Sequence, residues 1–186
     1  MKNMLVCVAL ILSVSASVLA NQDAYNQTRV SPLWSQCDAR WGANKLGKSS
    51  TICAVGCLMT SVASGLRSLD IKIGGVDSDP AVLNEYLIKN GGYEVNSLIW
   101  ETVEPLGLVY LGKTSVPQQI REAIKQGKIV ILKVNGGAHW VLTTGYSGEI
   151  YYVRDSGYVR ETYGSGEVVL AAMYELAPKS QSQVAE

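Results

Sequence analysis

The stretch Gly136-Gly137-Ala138-His139-Trp140-Val141-Leu142-Thr143-Thr144-Gly145-Tyr146-Ser147-Gly148-Glu149-Ile150-Tyr151-Tyr152-Val153-Arg154-Asp155 reads as two β-strands around a tight turn. β-branched and aromatic residues fill His139 to Tyr146 and Glu149 to Asp155, and Ser147-Gly148 is turn chemistry between them. Gly136-Gly137 is a second turn, fed by the β-branched run Lys128 to Val134. Alternation puts His139, Val141 and Thr143 on one face and Trp140, Leu142 and Thr144 on the other. The hairpin carries the single histidine of the chain, His139, at one far end and Asp155 at the other. Pairing about Ser147-Gly148 brings those ends together.

Upstream the pattern is helical. Leu58, Met59, Val62, Ala63, Leu66 and Leu69 follow Gly56-Cys57 at the spacing of a helix face, predicting a helix from about Gly56 to Ser68. Asp79-Pro80 is an N-cap followed by proline in the first turn, and the helix it opens carries Leu83, Tyr86 and Leu87 before Gly91-Gly92. A short helix is expected around Leu98 to Val103. Another starts at Ser115, with Ile120, Ala123 and Ile124 on one face and Gly127 as its stop. Val168 to Leu176 is a further strand. Helices first and an antiparallel sheet after predict an α+β domain.

The ends of the chain read differently. Lys2, an apolar run from Met4 to Leu12 and small residues up to Ala20 make residues 1–20 a signal peptide, short for a bilayer span of about 20 apolar residues. Residues 21–30 are polar and expected to be flexible, 31–177 form the domain, and 178–186 are expected to be a disordered tail. Asn26-Gln27-Thr28 is an N-glycosylation acceptor, placing Asn26 as a candidate modification site in a eukaryotic host. The 16 basic and 16 acidic residues cancel and neither sign forms a block, so neither nucleic acid nor an anionic membrane is expected as partner. Of the four cysteines, Cys7 leaves with the signal. An odd set, Cys37, Cys53 and Cys57, is left for an oxidising compartment, and one bridge plus one free thiol is the economical arrangement.

Cys57 at a helix start is where a reactive thiol is expected. A thiol attacks as thiolate, and the unpaired N–H groups of a helix start favour the anion. The alternative is a small apolar residue on the core face. His139 is the candidate general base, able to pair with the thiol and later to protonate a leaving group. Asp155 would fix the imidazole tautomer, the alternative being ordinary Asp-Ser-Gly turn chemistry. The Gln36 amide and the Cys57 backbone N–H are candidate oxyanion donors. With Cys57 assigned to chemistry, Cys37 and Cys53 are the expected disulfide. The cysteines and the histidine lack metal-site spacing, so no metal and no cofactor are expected.

Four blocks in order carry a resemblance: Trp34-Ser35-Gln36-Cys37-Asp38-Ala39-Arg40-Trp41-Gly42, Gly56-Cys57-Leu58-Met59-Thr60-Ser61-Val62-Ala63, His139-Trp140-Val141-Leu142-Thr143-Thr144-Gly145-Tyr146 and Asp155-Ser156-Gly157. Together they resemble the papain-like cysteine peptidases related to the bacteriocin-processing, double-glycine-leader enzymes. The resemblance implies a papain-like fold with Cys57 as nucleophile, His139 as base, Asp155 as orienting acid and Gln36 as oxyanion donor. Leu58-Met59 stands where many relatives have Gly-Pro, and Ser156 where many have Pro. These departures bear on the cleft and the substrate, and leader removal is not carried over.

The expected function is a secreted or lumenal cysteine hydrolase acting as a monomer on a peptide or protein, membrane-free once the signal is cleaved. The alternatives are a non-catalytic papain-fold binding module and a papain-like amidase or acyltransferase.

Overall fold

The structure, a computed structural model, describes residues 24–178. The expected signal peptide, 1–20, lies outside the described residues, as does the expected tail beyond residue 178. A seven-stranded antiparallel sheet forms the backbone of the fold, from β1 (Ala24–Asn26), β2 (Leu108–Thr114), β3 (Ile129–Val134), β4 (His139–Ser147), β5 (Ile150–Arg154), β6 (Thr162–Gly164) and β7 (Leu170–Leu176). The order is β6-β5-β4-β3-β7-β2, and β1 adds to β4. Helices α1 (Ile52–Val55), α2 (Cys57–Ser68), α3 (Pro80–Lys89) and α4 (Pro117–Lys125) pack around it.

Strand β3 shows why the sheet sits in the middle. Ile129 and Ile131 join a core with Met59, Val62 and Leu66 of α2 and with Leu83 and Leu87 of α3. Val130, Leu132 and Val134 point the other way, into a core with Ile120, Ala123 and Ile124 of α4. A strand buried on both faces reads as an unbroken apolar run, and each such side chain removed from water contributes about 1.5–3 kcal/mol. Gly65 lets α2 lie close on the sheet, since a Cβ there would sit 2.8 Å from Cγ2 of Ile129.

The predicted β4–β5 hairpin is present, with Ser147 opposite Ile150 and Tyr146 opposite Tyr151. Its register shifts at a bulge between Thr143 and Gly145, so that Leu142 faces Arg154. The expected alternation holds up to that bulge, with Val141 in the α4-side core and Trp140 and Leu142 on the α2 side. Beyond it the parity changes, and Tyr146 joins Val141 on the α4 side.

Several expectations need correction. The segment 21–30, expected to be flexible, supplies β1, whose Tyr25 pairs with Tyr146 and Asn26 with Gly145. The polar composition hid this because β1 is a short edge strand with little side-chain burial. Its backbone lies so close that a Cβ on Gly145 would come within 2.3 Å of the Tyr25 carbonyl oxygen. Strand β2 was not anticipated. Its partner β7 shifts register between Met173 and Tyr174, opposite Gly112 and Tyr110, which disrupts the alternation in β2. Val116 rather than Ser115 is the cap of α4, with Pro117 in its first turn. The short helix is a 3₁₀ helix over Trp100–Leu106.

Between β1 and α1 the chain is irregular apart from a small antiparallel ladder of Lys45–Leu46 with Ser50–Thr51, and it is pinned by Trp41. That indole is buried, donates to the Ser35 carbonyl at 2.8 Å and packs edge-on against Trp34. Cys37 is bonded to Cys53, and Cys57 is free. The bridge ties this irregular segment to α1, closing a sequence separation of 16 residues. A loop of about 15 residues is worth roughly 3 kcal/mol in the chain-entropy account. Denaturant unfolding of oxidised and reduced protein should therefore differ by about 3 kcal/mol. Equal stability would mean that the bridge does not restrict the unfolded chain as this account requires.

Candidate active site

Thr51 caps α1 by accepting from the Ala54 N–H at 3.3 Å. The chain then bends at Gly56, where a Cβ would lie 2.4 Å from the Ile52 carbonyl oxygen. Only glycine fits that bend, and it makes Cys57 the first residue of the twelve-residue α2. The sulfur thus stands at the positive end of a helix, half-buried and unbridged. Met59, Val62, Ala63 and Leu66 of the same helix are buried as predicted and anchor α2 on β4.

His139 opens β4 opposite Val134 of β3 and is buried. Its Nε2 lies 2.7 Å from Oδ1 of Asp155. That engagement leaves Nδ1 as the ring nitrogen available to Cys57, which lines the same cleft as His139. Burial works against a charged ring. The hydrogen bonds and charges of Asp155 and Cys57 outweigh it, and His139 is pushed up to about 9.

Asp155 reaches the histidine from just past the end of β5, with no side-chain surface exposed to solvent. Its Oδ1 also accepts from the backbone N–H groups of Gly157 at 2.9 Å and Tyr158 at 3.0 Å. Its Oδ2 accepts from the Tyr163 hydroxyl at 2.7 Å. Burial alone would raise the carboxyl. The donors His139, Tyr163, Gly157 and Tyr158 prevail, and the group is held below the usual carboxylate range. The Asp-Ser-Gly turn and the acid that meets His139 are therefore one device, in which the turn supplies two of the donors that keep the acid ionised.

Two residues of this surround escaped the reading of the sequence. Tyr163 lies in a three-residue strand that no periodicity marks. Tyr158 meets the imidazole edge-on, ring centroids 4.9 Å apart. Gly157 was visible as part of a motif, but its reason was not. A Cβ there would stand 2.9 Å from Cε1 of His139 and 3.3 Å from Oε1 of Gln36.

Gln36 is buried, with its backbone N–H on the Ser156 carbonyl at 2.9 Å and its Oε1 accepting from the Ser156 hydroxyl at 3.3 Å. Its Nε2 donates to the Cys53 carbonyl at 2.7 Å, leaving the second amide hydrogen unassigned. Gln36, Cys57 and His139 line one cleft of about 730 Å³, walled by Trp100, Trp140 and Tyr158. Asp155 stands behind His139. Asn26 is exposed on β1. Among the described residues no group of three or more His, Cys, Asp or Glu side chains is placed to hold a metal ion.

No family model matches the chain, and no curated protein does. Among solved structures it is similar to a double glycine motif protease from an AMS/PCAT transporter, crystallised in complex with the leader peptide. The two share 15% identity at a TM-score of 0.50, over 72% of this chain and 93% of that one. The chain has the papain-like cysteine-peptidase fold. At that identity the likeness speaks for the fold alone, and the papain-like architecture of helices against an antiparallel sheet agrees with the α+β expectation.

The His139–Asp155 pair makes stability depend on pH. His139 is raised by folding from about 6.5, so its contribution is full below that pH and is lost as pH rises through about 9. Asp155 is lowered, so its contribution is present above about pH 4 and is lost only in acid. The stability difference between the native protein and Asp155→Asn should be largest between about pH 4 and 6.5 and shrink toward pH 9. Because the chain has one histidine, its imidazole signal can be followed by NMR without assignment. A midpoint near 6.5 in the folded protein, or a stability difference that is flat with pH, would contradict the pair.

Proposed function

We propose that this chain is a secreted cysteine hydrolase that cleaves peptide bonds, with Cys57, His139 and Asp155 as its triad and Gln36 in its oxyanion hole. The observation that carries the reading is the buried His139 imidazole, engaged by Asp155 on Nε2, in a cleft that a free Cys57 at a helix start and Gln36 also line. The adjacent Cys37–Cys53 bridge, the apolar segment within residues 1–20 and the papain-like fold support a thiol enzyme of an oxidising compartment. Among the described residues no helix is long and apolar enough to cross a membrane.

In the reaction the Cys57 sulfur, having given its proton to His139, attacks the carbonyl carbon of the scissile amide. The carbonyl electrons move to oxygen, and the second Nε2 hydrogen of Gln36 and the Cys57 backbone N–H receive the charge. His139 passes its proton to the leaving nitrogen as the C–N bond breaks, giving an amine and a thioester. Water then loses a proton to His139 and attacks the thioester carbonyl. The sulfur leaves, and the product is a carboxylic acid. Asp155 holds the ring through both proton transfers and remains ionised.

Cys57→Ala should abolish hydrolysis of a peptide library while preserving the fold, because one small side chain replaces another. Gln36→Ala should slow hydrolysis about a hundredfold or more, the usual loss for an oxyanion donor, yet leave Cys57 reactive toward iodoacetamide. Equal losses of alkylation and hydrolysis in Gln36→Ala would make its role structural. A Cys57 that alkylates in a protein unable to cleave any peptide would favour a binding module.

A further inference from the structure

The cleft holds a charge imbalance that catalysis does not use. The chain as a whole balances 16 basic against 16 acidic residues. Among the residues lining the cleft, however, only His139 and Lys133 belong to the basic and acidic types, and no aspartate or glutamate faces it. Lys133 lies on β3 directly across from Trp140, the residue after His139. Its ammonium stands 5.4 Å from the Trp140 ring centroid, and its stem runs beside the turn at Gly137. Trp140 is itself held edge-on against Trp100, with ring centroids 5.2 Å apart. Among the described residues Lys133 is the one lysine or arginine lining the cleft, and it has no carboxylate within 4.0 Å, whereas Arg40, Arg67, Lys72, Arg121, Lys128 and Arg160 are paired.

A cation whose ammonium stands by an indole and has no carboxylate partner in a cleft is suited to an anion from outside. We propose that Lys133 determines specificity by receiving a carboxylate of the substrate, so that the preferred substrates are acidic peptides. This rests on the cleft being a peptide-binding site, as the proposed function requires. Cross-strand neighbours stand about 5 Å apart and an extended peptide advances about 3.3 Å per residue. The carboxylate therefore belongs within about two residues of the scissile bond. An aspartate or glutamate side chain and the C-terminal carboxylate of the substrate present the same chemistry.

The test uses binding, so that it does not depend on turnover. Capped and amidated peptides with a single Glu, or Gln in its place, within two residues of a central bond are titrated by fluorescence anisotropy into the mature Cys57→Ala protein. The Gln peptides are titrated again with a free C-terminal carboxylate. Some carboxylate-bearing peptide should bind about two- to fivefold more tightly than its neutral counterpart, the worth of a partly exposed ion pair. The preference should shrink between about 0.05 and 0.5 M salt as screening shortens. It should vanish in Lys133→Met, which keeps the apolar stem, and reverse in Lys133→Glu. A preference among capped peptides identifies a side chain, and one confined to free termini identifies the terminal carboxylate. Equal affinities for acidic and neutral peptides, no binding by any peptide, or a preference that survives Lys133→Met would overturn the proposal. Charge-selective binding without hydrolysis by the native protein would overturn the peptidase reading alone, and hydrolysis without charge selection would overturn this one alone.

Discussion

A buried carboxylate facing the chain's single imidazole is the constraint around which the site is arranged. Asp155 has no exposed side-chain surface, and a charge in that position is tolerated only because both oxygens are hydrogen-bonded. One oxygen accepts from His139, Gly157 and Tyr158, and the other from Tyr163. Removing one partner of such a pair typically costs about 3–5 kcal/mol, because the remaining charge stays buried. Fold and chemistry therefore share the same contacts. The turn that ends β5, the short strand β6 and the start of β4 must each be in place for the acid to remain ionised. Once ionised, it keeps the imidazole oriented and basic.

Close backbone approach does the rest of the positioning. Gly56 bends the chain against Ile52 and delivers Cys57 to the first turn of α2, while Gly157 leaves the space that the His139 ring occupies. Neither position needs a left-handed backbone. Each needs the absence of a Cβ, at Gly56 against the Ile52 carbonyl and at Gly157 against the His139 ring and Gln36. Gln36 is fixed from both sides, by the Asp155-Ser156-Gly157 turn and by the Cys53 carbonyl. The Cys37–Cys53 bridge joins the residue after Gln36 to the residue that accepts its amide. A disulfide placed in this way stabilises the domain and also sets the position of a proposed oxyanion donor.

The sheet carries a second division of labour. Its two faces are buried by different helices, α2 and α3 on one side and α4 on the other. The side holding α2 ends in the cleft, where Trp140 and Trp100 extend the apolar core to the surface and Lys133 stands on it. The same strand alternation that buries Val141 under α4 thus places Trp140 beside the cleft, one residue from His139.

By itself the sequence determined the α2 helix, the β4–β5 hairpin, the α+β class and the residue types of the candidate site. Periodicity, turn residues and an odd cysteine count are local signals, and they are legible without knowing what packs on what. Cys57 and His139 could be named because their chemistry is rare in this chain, which has one histidine and, beyond the expected signal peptide, one cysteine left over after a bridge, whereas Asp155 and Gln36 could be named only from their places at the hairpin end and in the tryptophan-flanked block. Tertiary structure decided what local signals cannot carry. The β4 bulge changed which residues share a face, β1 joined the sheet through backbone bonds despite a polar sequence, and β2 was hidden by an irregular register. Tyr163 became a partner of Asp155 because β6 pairs with β5, and Lys133 met the cleft because β3 pairs with β4. Those contacts join residues distant in sequence, so they exist only once the strands are in register.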